Sequence, residues 1–521
     1  MFSTITSGAV CGMSSYLMQV EVDVSSGLPM FNMVGLLNTE VREAGERVKV
    51  SLKNCGVDMP PRHITVNFSP ADIRKSGVGI DLPVALGVLA SMGEIPQEAF
   101  EKTLVAGELG LDGEVKKIRG VLPVVARAKQ EGYRVCILPA ENAREGAAIS
   151  GMKIVGVRTL PETVAWLCAP EEERDRLIPP TRVRMESLFA EKPDAQEADF
   201  SDIVGQSAVK RAVEVAAAGF HHLLMVGSPG AGKSMIAKRI PTNLPPLTED
   251  ESLEVSTIYS VAGLLDTEQV LVTKRPFVSP HHTITRTALA GGGRIPQPGV
   301  ISLAHRGVLF LDEIAEFPHT TLDVMRQPLE DRTVHIARSS GTFSYPADFM
   351  LVGALNPCPC GYYPDRGKCR CSEREIDRYL SHLSGPILDR IDLCVEAPRV
   401  DVHALAGNGT GDQKPETSAE IRARIIRARK MQEERFRGTH LRFNADMQVK
   451  QVRRYCRLGE AEQALMERIF HRMDLTARAY HRIIKVARTI ADLEGEAEIG
   501  TRHLTEASCY RMAAGKYWRK D

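Results

Sequence analysis

The sequence predicts a multidomain α/β protein: an N-terminal α+β domain, a central parallel-sheet domain built around a phosphate-binding loop, and a helical C-terminal domain. Three observations carry that expectation. Short apolar runs alternate with helix-period segments to about residue 168, the alternation resumes around a glycine-rich loop between 200 and 400, and beyond 420 only helical periodicity remains. A length of 521 residues allows about three to five domains that each bury a core.

Element by element, Leu17–Val24 alternates as a half-buried strand should, and Val41, Ala44, Val48 and Leu52 mark one helix face. His63–Phe68, Thr103–Gly107 and Arg134–Leu138 are further strand candidates, which makes 1–168 a mixed domain. Charged, proline-containing sequence over 169–198 predicts a linker before a domain spanning 199–405. A second linker is expected over 406–420, where Ala406–Pro415 is rich in glycine and polar residues. Helices are expected at Ile421–Phe436, Ala461–Phe470 and Ala477–Leu493, a small bundle over 421–521.

Composition narrows the class. Apolar residues make up 43% and charged residues 25%, which excludes wholesale disorder, a collagen-like chain and a membrane bundle. The first ten residues lack a basic n-region and no apolar run approaches the length of a membrane span, so the expectation is a cytoplasmic protein with no membrane partner. Sixty-six basic residues balance sixty-six acidic ones, but 421–521 holds 23 basic and 13 acidic residues, a local +10. Arg422, Arg424, Arg427, Arg429 and Lys430 crowd one helix there, and Arg478, Arg482 and Lys485 follow on another, either a phosphate-contacting stripe or a solvated face.

Gly227, Ser228, Pro229, Gly230, Ala231, Gly232, Lys233 and Ser234 fit the pattern G-x-x-x-x-G-K-[ST], after the apolar run His222–Val226 and before a helix-like segment. Such a loop aims backbone N–H groups at phosphate oxygens, its lysine reaches the β and γ phosphates, and its serine ligates Mg²⁺. The apolar run Gly307–Leu311 ends in Asp312 and Glu313, which places one carboxylate to hold Mg²⁺ and the next to orient an attacking water. ATP and Mg²⁺ are therefore the expected ligands, with hydrolysis as the outcome. A third apolar strand, Phe349–Leu355, delivers Asn356 to the same edge.

Eleven cysteines are mostly scattered, as thiols in a reducing compartment would be. Cys358, Cys360, Cys369 and Cys371 instead form C-x-C-x₈-C-x-C, which suits tetrahedral Zn²⁺ in a loop too short to build its own core. The spacing is tighter than that of common zinc motifs, so reduced or redox-labile thiols remain the alternative.

With these stretches Phe200–Gln206, Arg275–His282, Gly291–Gly293, Ile301–Val308, Arg326–Glu330 and Asn356–Gly361 resemble the AAA+ ATPases, in particular the YifB/ComM family of the magnesium-chelatase-like branch. The resemblance runs from the first residues to the last helix. It implies that Val204 and Gly205 border the nucleotide, that Asn356 is sensor 1, Arg390 an arginine finger and Arg478 sensor 2, and that the C-terminal bundle is the helical lid. A finger reaching a neighbouring site implies a homo-hexameric ring. The hairpin predicted over Thr333–Arg338 and Thr342–Tyr345 stands where related motors present a pore loop, with Arg338 near its tip as a DNA contact. His281 and His282 fall in the segment resembling the helix 2 insertion, in a structural or pore-lining role.

Residues 1–168 resemble the Lon-protease-like, ribosomal-S5-type domain. Gly79 stands at the nucleophile position and Leu122 at the partner lysine position, so acyl transfer has no machinery there, with Ser76, Lys116 and Lys117 all displaced. The resemblance thus implies a motor on single-stranded and branched DNA, a helicase driving branch migration during recombination of incoming DNA in natural transformation, with a recombinase as a further partner. The competing expectation is a chelatase-type protein remodeller; an ATP-dependent protease is disfavoured by Gly79 and Leu122.

Overall fold

The computed structural model describes residues 2–36, 38–59, 61–70, 79–189, 198–293, 295–338, 341–399 and 415–518. In the first part the strand Ser14–Ser25 alternates as Leu17–Val24 predicts, pairing antiparallel with Phe2–Cys11 and His63–Ser69. It lies within a seven-stranded mixed sheet ordered Met30–Val34, His63–Ser69, Ser14–Ser25, Phe2–Cys11, Thr103–Val105, Val135–Pro139 and Lys153–Val157. The helix Thr39–Asn54 buries Val41, Ala44, Val48 and Leu52, the predicted face, and the apolar helix Asp81–Met92 is buried almost all round.

The central domain holds a five-stranded parallel sheet in the order Phe277–Val278, Val308–Leu311, Met350–Leu355, Leu223–Val226 and Leu393–Glu396. Its three inner strands are buried along their whole length, as continuous apolar runs covered on both faces must be. Helices Ser207–Gly219 and Lys233–Asn243 share one core with the sheet and with the C-terminal helix Ser418–Arg435. Parallel strands deliver their C-terminal residues to one edge, where Gly227, Asp312, Asn356 and Ala397 follow the four longer strands.

The C-terminal part is helical: Ser418–Arg435, Val449–Tyr455, Glu460–Arg472, Ala477–Glu494 and Thr501–Trp518. Of the eight basic residues in the expected stripe, five are engaged internally, Arg422 among them through Thr242 O. Arg429 is buried, stacked 4.4 Å from the Phe443 ring centroid and donating to Ala217 O, while Arg424 pairs with Glu214 and Glu416. Arg482 pairs with Asp392 and Lys485 donates to Ala445 O, leaving Arg427, Lys430 and Arg478 exposed. A continuous phosphate-contacting stripe over these residues is therefore not what the fold presents.

Both expected linkers carry structure where described. Glu171–Leu177 and Met185–Phe189 are short surface helices with no buried residue, which is why no apolar period marks them. Arg174 holds the first of them down over the Trp166 ring at 5.0 Å. The helix starting at Ser418 begins inside the second expected linker, capped by Thr417 and Glu420 and tied to Asp199 by the Ser418 N–H. Residues 406–414 lie outside the described residues.

Among the described residues, contacts in two regions join the first domain to the second. The helix Glu249–Ala262 and the chain after it lie against the first domain: Ser260 donates to Glu145, Lys117 to Leu265 O at 2.8 Å and the Gly120 N–H to Ser260 O at 3.0 Å. Val270 and Leu271 are buried in that domain's core. At the second contact, the hairpin Thr333–Arg338/Gly341–Pro346 sets Phe343 against Gly12, in the turn between the first two strands.

Candidate nucleotide site

The phosphate loop leaves the strand Leu223–Val226 with the Gly227 N–H donating to Leu355 O, and a Cβ on Gly227 would lie 2.3 Å from Ala397 O. Only glycine fits that close approach. Lys233 Nζ turns back into the loop, donating to Gly227 O at 2.6 Å, Ser228 O at 3.1 Å and Asn356 Oδ1 at 3.0 Å. Burial pulls its ammonium below the ordinary lysine value, opposed by Asp312 and Glu313. Ser234 Oγ donates to Asp312 Oδ2 at 2.6 Å, and the Glu313 N–H donates to Asp312 Oδ1 at 3.0 Å. Glu313 takes a left-handed backbone (φ 49°), turning its exposed carboxylate away from the strand line.

A hydroxyl beside a carboxylate, next to a lysine and a row of loop N–H groups, is a donor set that fits Mg²⁺ bridged to a polyphosphate. The cavity beside the loop measures about 400 Å³ and is bordered by Val204, Gly230, Ala231, Gly232, Met235 and Arg399. Gly205 turns the backbone there with φ 65°.

Two residues absent from the motif reading complete this site. Gln206 donates from Nε2 to Ala231 O at 3.2 Å and Pro398 O at 2.6 Å, pinning the loop to the chain after the last strand. Arg399 donates from Nε to Ser228 Oγ at 3.0 Å and lies 4.8 Å over the Tyr362 ring. Its position just past a strand end was the one available sequence signal.

Arg390 and Arg478 are brought together, but elsewhere. Both line a second cavity with Glu330, Arg332, Asp392 and Lys485, and among the described residues none borders both cavities. Arg390 Nη2 contacts Glu330 Oε1 at 2.6 Å and Nη1 donates to Pro386 O, whereas Arg478 is exposed. Burial lowers Lys485 to about 8 in this cavity.

The four clustered cysteines converge. Their sulfurs all lie within 4.8 Å of one another, and Cys358 and Cys369 are buried. Arg338 stays beside the helix 2 insertion, donating to Gly293 O, rather than extending alone. The His281 and His282 rings lie 4.1 Å apart, tilted by 33°, and no metal-binding group among the described residues includes them. In the first domain Leu122 is fully buried and Lys117 is engaged with Leu265 O; Ser76 lies outside the described residues. No described helix is long and apolar enough to cross a membrane.

Comparison with known families agrees with this geometry. Residues 199–405 match the family described as magnesium chelatase, subunit ChlI, residues 20–142 match subunit ChlI of Mg-chelatase, and 415–511 match the subunit ChlI C-terminal family. Competence protein ComM of Haemophilus influenzae is 40% identical over 511 residues, 97% of each chain. The uncharacterized protein YifB of Escherichia coli is 37% identical over 509 residues, 98% of this chain and 97% of its own. Likeness to Lon protease 2 of Bacillus subtilis is partial, 28% over 265 residues and 44% of this chain. With near-complete coverage on both sides, the chain belongs to the YifB/ComM family of magnesium-chelatase-like AAA+ proteins.

Proposed function

We propose that this protein is an ATP-hydrolysing, homo-hexameric ring motor acting on single-stranded and branched DNA, a helicase that promotes branch migration during recombination of incoming DNA in natural transformation. The observation that carries the motor reading is the division of the site. Lys233, Ser234, Asp312 and Asn356 meet at one sheet edge, while Arg390 and Arg478 share a separate cavity. A chain so divided completes its site with a neighbour's arginines, so both are read as acting in trans.

In this reading Lys233 binds the β and γ phosphates, Ser234 and Asp312 hold Mg²⁺, and Glu313 and Asn356 orient the water. Bound Mg²⁺ neutralises charge between the phosphates. Val204, Gly205 and Arg399 flank the nucleotide. The first domain, with Gly79 and Leu122 at the Lon-type positions, is read as non-catalytic. Arg338 is the candidate DNA contact, the cysteine cluster a structural Zn²⁺ site, and a recombinase a further partner.

DNA as the track is supported by the name of the Haemophilus relative, a competence protein. A chelatase-type remodeller acting on a partner protein is the second reading, favoured by the magnesium chelatase descriptions that cover all three parts of the chain. ATPase rates with and without single-stranded and forked DNA, at low and moderate salt, separate the two. The DNA motor predicts salt-sensitive stimulation that Lys233→Ala abolishes; hydrolysis indifferent to every DNA form leaves the remodeller.

A further inference from the structure

The sulfurs of the cysteine cluster stand at the spacing of a four-thiolate metal site. Cys358 Sγ lies 3.4 Å from Cys360 Sγ and 3.8 Å from Cys369 Sγ, and Cys360 Sγ lies 3.6 Å from Cys369 Sγ. Four thiolates around Zn²⁺ at about 2.3 Å stand about 3.8 Å apart, whereas a disulfide needs about 2.05 Å. The loop supplies its own outer support. The Tyr363 N–H donates to Cys358 Sγ at 3.4 Å, and the Gly361 N–H to Cys358 O at 2.9 Å, closing a tight turn between the first two cysteines and the rest.

What surrounds the cluster gives it a second meaning. Three links run from this loop to the phosphate loop. At Gly361, with φ 82°, an added Cβ would lie 2.3 Å from Pro229 Cδ, so the Gly361 backbone packs directly on the Pro229 ring. The Tyr362 ring carries the Arg399 guanidinium, whose Nε donates to Ser228 Oγ. Asn356, two residues before Cys358, accepts from Lys233 Nζ. Past Asn356, which the strand Met350–Leu355 places, the segment 357–371 is turn-rich, with no helix or strand of its own to hold the Gly361 and Tyr362 contacts in place.

We infer that the four cysteines hold one Zn²⁺-class cation, and that this cation fixes the shape of the phosphate loop, making nucleotide affinity depend on metal occupancy. The inference rests on the reading of Lys233 and its neighbours as an ATP site. Removing the ion frees Gly361 and Tyr362 together, and the phosphate loop loses the support on that side.

The test measures metal content and nucleotide affinity separately on the full-length chain. Zinc is quantified by elemental analysis, and affinity for a fluorescent ATP analogue is measured before chelation, after chelation, and after Zn²⁺ is restored. The expected result is about one zinc per chain and at least a tenfold loss of affinity on chelation that returns with Zn²⁺. Cys369→Ser should lose zinc and affinity together. Because that variant can misfold, Tyr362→Ala supplies an independent arm: it keeps its zinc yet binds nucleotide several-fold more weakly. A chain that neither carries nor takes up zinc overturns the metal site. A zinc-bearing chain whose affinity ignores chelation, with Tyr362→Ala unchanged, overturns the coupling. A zinc-bearing chain that never binds nucleotide overturns instead the ATP reading on which the coupling stands.

Discussion

Mixing two inactive variants, Arg478→Ala and Lys233→Ala, should restore ATPase activity that neither has alone. The expectation comes from the two cavities: Arg478 and Arg390 border one, the phosphate loop the other, and none of the described residues borders both. In rings assembled at random from equal amounts, an interface pairs an intact phosphate loop with an intact neighbouring arginine in about a quarter of cases. Losing a transition-state arginine costs on the order of 10³ to 10⁵ in turnover, or about 4 to 7 kcal/mol, so either parent contributes a negligible background. Recovered activity should approach about a quarter of wild type per site if interfaces fire independently. Were Arg478 to act on its own chain's nucleotide, no chain in the mixture would carry both groups and nothing would be recovered. The assay is phosphate release at saturating ATP after subunit exchange, with native mass spectrometry counting mixed rings. Mixed rings no more active than their parents would refute the trans assignment, and the Arg390→Ala pairing repeats the test.

Other expectations follow from packing and charge. Gly227→Ala forces a Cβ to within 2.3 Å of Ala397 O, so nucleotide affinity should fall at least tenfold and stability by about 1 to 3 kcal/mol, read by analogue titration and thermal melting. Arg275 donates to Pro245 O, Pro246 O, Arg306 O and Glu251; Arg275→Met strands a buried carboxylate and three carbonyls, and calorimetry should register a loss of about 3 to 5 kcal/mol. His222 is held neutral by burial, its value lowered to about 4, with Nδ1 accepting the Leu351 N–H. Because the folded value lies below the unfolded one, stability is full above about pH 6.5 and is lost as pH falls toward 4, by about 3 kcal/mol in total. His222→Gln should flatten that stretch of the stability profile.

The nucleotide site was legible where its chemistry is contiguous. Gly227–Ser234 and the Asp312–Glu313 pair follow apolar runs that fix their place at the sheet edge, so pattern and position coincide. Gln206 and Arg399 were missed because each acts on residues far away in sequence. The helix Glu249–Ala262 hides for a different reason. Ser252, Ser256 and Ser260 form its buried stripe, bonded to Val272 and Glu145, so a face that reads as solvated is interior. Arg429 fails in the same sense, since the aromatic rings that enclose it come from other elements. Local periodicity reports how a segment presents itself to water, and it is silent when polar groups are satisfied by distant partners.

The contact between Phe343 and Gly12 couples parts of the molecule that the sequence keeps far apart. A benzyl side chain seated against the Gly12 backbone works like a tooth in a notch, with Met13 of the same turn packed into the same apolar cluster. Displacing the hairpin must either carry the turn along, and with it the long strands on both sides, or unseat the ring into water. The first domain is thereby geared to the hairpin, so that a displacement of one bears on the other.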